Sequence, residues 1–107
     1  MVRIGSTTKM QLYYLKAENL TNWKSFHSEF KRVLCFPDYY GENMNAWIDC
    51  MDELVVDKQI AIHIENGKFL KEAAPDILEA LLECAAFINF RMMEAGENPG
   101  LLVSLNV

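Results

Sequence analysis

A chain of 107 residues carrying 10 Lys and Arg against 15 Asp and Glu, net charge −5, is long enough for one modest core and too short for two. With 51% of its residues apolar and no low-complexity tract, it is expected to fold as a single domain over residues 1–107. The acidic balance excludes nucleic acid and anionic membrane as partners, because phosphate contacts need Lys and Arg, and favours a cationic protein instead.

Residues 1–9 are polar with one glycine, and read as a flexible lead-in rather than a targeting signal. No segment approaches the roughly 18 apolar residues of a membrane span. Cys35, Cys50 and Cys84 are odd in number and widely spaced. They form neither a disulfide framework nor a metal clip, so a reducing cytoplasm is the expected compartment.

Met10 to Leu15 is aromatic and aliphatic enough for a first strand. Thr21 is placed to cap a helix running to Leu34, with Trp23, Phe26, Phe30, Val33 and Leu34 at helical spacing on one side. His27 lies beside that stripe with no second ligand at metal spacing, and reads as a structural or surface histidine.

Pro37 and Gly41 then mark a loop, Gly41 being the residue that tolerates φ > 0. A helix follows over 43–54. Wound at about 100° per residue, it gathers Met44, Trp47, Ile48, Met51, Leu54 and Val55 on one face and Glu42, Asn45, Asp49, Asp52 and Glu53 on the other. Between Val33 and Asp57 there are six carboxylates and no Lys or Arg. Such a helix forgoes the opposite-charge pairs that stabilise ordinary surface helices, and its later acids oppose the helix dipole. A solvated face that keeps the chain soluble is the plain explanation of the charge alone; a cationic partner is the functional one. Cys50, inside this helix, reads as a small semi-buried residue rather than a nucleophile.

Ile60, Ile62 and Ile64 alternate with Gln59, Ala61 and His63, which predicts a strand with one apolar face and His63 on the other. Glu65-Asn66-Gly67 breaks it, Lys68 to Ala74 forms a short helical turn, and Pro75 opens a long helix that Gly96 stops. Ile77, Leu78, Leu81, Leu82, Ala85, Ile88 and Met92 supply its apolar spacing, and Phe87, Phe90, Met92 and Met93 are expected in core or helix packing. Leu101 to Val107 is a last strand. Strands separated by helical segments pair in parallel, so the fold class is α/β: a three-stranded parallel sheet with about four helices.

The run Pro37-Asp38-Tyr39-Tyr40-Gly41-Glu42-Asn43, followed by Asn45-Ala46 and Asp49-Cys50, resembles the signature of the barstar family, small intracellular inhibitors of ribonucleases. The resemblance implies the fold across nearly the whole chain, and a loop over 36–43 and a second helix that enter a nuclease's active-site cleft. It places Tyr39, Gly41, Asn43, Met44, Asn45, Ala46, Ile48 and Asp49 at or near the interface, with Asp49 the principal charge and Asp52 and Glu53 one turn beyond. A cleft built for phosphate presents Arg, Lys and His, and a fixed carboxylate satisfies those donors without being cleavable. The implied partner is a basic ribonuclease or nuclease toxin, bound one to one, and no cofactor or metal is implied.

Four positions depart from the family pattern. Asn45 stands in place of an acid, Trp47-Ile48 reverses an aliphatic-tryptophan order so that Trp47 should turn inward, and Arg91 falls near a position that offers a carboxylate. Asp52 and Glu53 are the candidates to replace the missing charge, for a different nuclease. From the residues alone, Tyr40, Gly41 and Trp47 read as structural and Asn43 as a cap. An enzyme using these carboxylates would need a pocket and a calcium loop would need a spaced glycine, and neither pattern is present. A regulatory or assembly protein on the same scaffold is the alternative function, since fold does not fix function.

Overall fold

The computed structural model describes residues 10–56 and 58–107. The lead-in expected over 1–9, and Asp57, lie outside them. Strand β1 (Met10–Lys16) leads through a 3-10 turn (Ala17–Leu20) into α1 (Trp23–Leu34) and α2 (Met44–Leu54). Strand β2 (Gln59–Glu65), α3 (Gly67–Ala73), α4 (Pro75–Glu94) and β3 (Leu101–Leu105) follow.

The sheet order is β1-β2-β3 with both pairs parallel, Met10 opposite Gln59 and Ile60 opposite Leu101. Parallel crossovers share one hand as a rule, so two successive steps in one direction bring both helical connections to the same face of the sheet. Ile60, Ile62 and Ile64 are completely buried against those helices, together with Leu15, Phe26, Phe30, Leu70, Leu81 and Ile88. The other face is open among the described residues. Met10, Leu12, Tyr14 and Leu102 are each more than half exposed there, and His63 sits among them with Nδ1 3.0 Å from the Ser104 hydroxyl. Of the two surroundings the alternation left open for His63, solvent is the one found.

Boundaries differ from expectation where local chemistry offered two answers. Asn22, not Thr21, caps α1, its Oδ1 accepting from the Ser25 amide at 2.9 Å. The 3-10 turn through Leu20 delays the helix by a residue, which hands the cap to the next polar side chain. Trp23 consequently falls in the first turn and is 39% exposed instead of buried in the stripe. In α4, Ile77, Leu78, Leu81, Ala85 and Ile88 face the core, but Leu82, Phe87, Phe90 and Met93 are exposed. That helix is apolar nearly all round, so its spacing did not choose the buried flank. Its end is as expected: Gly96 has φ +83°, with the Gly96 and Glu97 amides returning to the carbonyls of Met93 and Met92. Among the described residues no helix is long and apolar enough to cross a membrane.

Candidate functional site

The stretch from Phe36 to Leu54 is built on three aromatic anchors. Phe36 and Tyr40 are buried with ring centroids 4.8 Å apart, and the Tyr40 amide donates to the Pro37 carbonyl at 2.9 Å, closing the turn. The Tyr40 hydroxyl lies 2.5 Å from Nδ1 of His27, which is itself buried in α1. Trp47 is completely buried edge-on to Phe30, at 5.6 Å, so it turns inward as its displacement in the pattern suggested. Its indole N–H has no hydrogen-bond partner among the described residues. Loop and helix are thereby pinned to α1 from below.

Asn43 fixes the start of α2. Its Oδ1 accepts from the Ala46 amide at 2.8 Å and its Nδ2 donates to the Gly41 carbonyl at 3.3 Å. The side chain is spent inside the loop, as the capping role required, although Asn43 remains exposed. The positive φ expected at Gly41 belongs to Glu42 instead, at 55°. Holding the Gly41 carbonyl with Asn43 moves the reversal one residue on. A Cβ at Gly41 would meet only ordinary contacts at 3.5 Å, from Ala46 and Asn43.

The expected site residues divide by position. Tyr39 is 83% exposed, and Gly41, Asn45, Asp49 and Glu53 are exposed as well. Met44, Ala46 and Ile48 are partly buried against the core, showing only an edge. Asp52 is half-buried and ion-paired with Arg91 of α4, whose guanidinium carbon lies 4.8 Å over the Phe87 ring. This corrects the expectation of unpaired acids along the helix: Asp52 is answered from a helix that sequence distance hides. Asp38, Glu42, Asp49 and Glu53 have no ion-pair partner among the described residues. Asn45 and Asp49 stand one turn apart on the outward side of α2, with Glu53 a turn further on.

Electrostatics follow the burial. Desolvation holds the His27 pKa below its ordinary 6.5, against the opposing pull of Glu42, so the ring is neutral near pH 7. Burial pushes the Tyr40 hydroxyl strongly upward, helped by Cys50 and Glu42. Burial, then Glu53 and Asp49, raises the Cys50 thiol, which keeps it protonated and a poor nucleophile. Among the described residues no three His, Cys, Asp or Glu side chains gather as a metal site. What the face offers chemically is charge and shape, from exposed Asn45, Asp49 and Glu53. The sequence reading missed two things beside this face: the exposure of Trp23, placed in the core stripe by periodicity, and the pairing of Arg91, the only Lys or Arg in α4, with Asp52.

Comparison with known proteins agrees with this architecture. The family described as "Barstar (barnase inhibitor)" matches residues 10–104. A Bacillus subtilis (strain 168) protein named "Putative ribonuclease inhibitor YrdF" is 32% identical over 78 residues, covering 69% of this chain and 85% of the relative. Three parallel strands and four helices in this order are the arrangement that the central motif implied. The chain belongs to the barstar family.

Proposed function

We propose that this protein is an inhibitor that binds a cationic ribonuclease or ribonuclease-type toxin one to one and blocks its active site with the outward side of loop 36–43 and helix α2. One observation carries the reading: Asp49 has no ion-pair partner among the described residues and stands on a capped, tryptophan-anchored helix, with Glu53 a turn beyond it and Tyr39 exposed in the preceding loop. Such a carboxylate meets the phosphate-binding donors of a nuclease cleft from a backbone that is already fixed, and the family description and the relative's name support a nuclease as the target. Arg91 neutralises Asp52, so Asp49 and Glu53 carry the charge of the helix face, and the partner is matched to that reduced set. Three free cysteines suit a reducing cytoplasm.

The test is titration of the purified protein into the nuclease encoded beside its gene, with RNA cleavage as readout. Stoichiometric loss of cleavage, with an association rate that falls as salt rises, is the expected result. Unchanged cleavage at saturating protein sinks the proposal.

A further inference from the structure

Beside the acidic face, at the start of α2, is a cavity of about 260 Å³ lined by Trp23, His27, Glu42, Asn43 and Met44. It is smaller than the roughly 300–1,000 Å³ of typical small-molecule sites, and its size suits a single side chain. Its aromatic wall is held still. Trp23 stacks on His27 at 22° with centroids 5.8 Å apart and meets Phe26 edge-on at 5.3 Å, while the Tyr40 hydroxyl secures the His27 ring from the loop. At 39% exposure, this indole still shows substantial surface.

The other wall is Glu42. Its φ of 55° is a backbone conformation that L side chains seldom adopt, and glycine would take it without strain. A carboxylate kept in a strained turn, without an ion-pair partner among the described residues, directs attention to the side chain rather than the turn. The N-terminal end of α2 brings about half a positive charge to the same place, which opposes a cation; the full negative charge of Glu42 exceeds it and also rejects an anion. His27, neutral at pH 7, adds no charge.

We propose that Trp23 and Glu42 form a receptor for one arginine side chain of the partner, seated next to the Asp49 face and continuous with it through Asn43 and Met44. A guanidinium is planar, stacks on indole and pairs with a carboxylate through the same group, which an ammonium does less well. The proposal rests on the reading above that the partner is a cationic protein, and it extends the contact surface from α2 onto α1.

Two measurements test it. In the first, N-acetyl-arginine amide is titrated into the isolated protein and followed by amide and indole N–H chemical shifts, the buried Trp47 indole serving as internal reference. Saturable shifts at the Trp23 indole and at residues 42–44 are expected, lost in Glu42→Gln and in Glu42→Gly, the latter retaining its fold because glycine accepts the turn. Equal shifts with the neutral N-acetyl-citrulline amide, equal binding of the lysine analogue, or shifts spread evenly over all acidic residues overturn the assignment. In the second, capture of the partner by Trp23→Leu and by Glu42→Gln should weaken roughly 5- to 30-fold. Full affinity in both variants, while Asp49→Ala loses affinity, rejects the receptor and leaves the inhibitor reading standing; no loss in Asp49→Ala rejects that reading itself.

Discussion

The molecule presents two unlike surfaces, and they are exposed for different reasons. The open face of the sheet, with Met10, Leu12, Tyr14 and Leu102, is bare among the described residues because both crossovers turn the same way. The outward side of α2 is exposed because the opposite side is anchored by Trp47 and Met51, and it carries Asp49 and Glu53, which have no ion-pair partner among the described residues. Topology accounts for the first surface. The second is a matter of sequence: apart from Asp52, its carboxylates have no ion-pair partner among the described residues, and they are held on an anchored helix where the proposed partner would meet them.

That contrast is sharpened first by cutting the base. Trp47→Ala should lose about 3–5 kcal/mol of stability in denaturant unfolding, whereas Leu12→Ser on the open face should stay within about 1 kcal/mol. Equal losses would mean that the sheet face is packed after all. Asp49→Ala should cost partner affinity by at least about 2 kcal/mol while leaving the melting temperature unchanged or slightly raised, since Ala has the higher helix propensity at an exposed mid-helix position. A binding titration paired with thermal unfolding checks both halves. Asn43→Ala removes the cap of α2 and should cost about 1 kcal/mol of stability by the same denaturant measurement.

The last test concerns the joint beneath the loop. His27 is held neutral with its folded-state pKa below 6.5, so the unfolded chain takes up the proton first as pH falls. The contribution of His27 is therefore complete above pH 6.5 and is lost as pH drops from there through the folded-state value. Unfolding free energy measured against pH should show this decline, and His27→Gln should remove it.

Much of this was legible in the chain because the signals were local and repeated. Alternating isoleucines announced β2 and its buried side, and the spacing from Ile77 to Ile88 announced α4. The Trp47-inward, Asp49-outward division of α2 followed from one helical turn of arithmetic. Choices between chemically equivalent neighbours were not legible. Thr21 and Asn22 can both cap, and Gly41 looks more suited to a positive φ than Glu42, until the 3-10 turn and the Asn43 hydrogen bonds decide. Contacts between distant residues were hidden as well. The Asp52–Arg91 pair and the His27–Tyr40 contact join different elements, and no periodicity within one element reveals them. In α4, Phe87 and Phe90 satisfied a core pattern and yet lie outside, because an almost uniformly apolar helix does not say which flank turns in.

The parallel register has a kinetic corollary. Met10 meets Gln59 and Ile60 meets Leu101, so every ladder closes a large part of the chain before its first rung forms, while the helices require only neighbours. Refolding should accordingly be governed by loop closure, with helical signal gained early and the sheet late. A newly made chain would then hold α2 in outline well before the platform beneath it is complete.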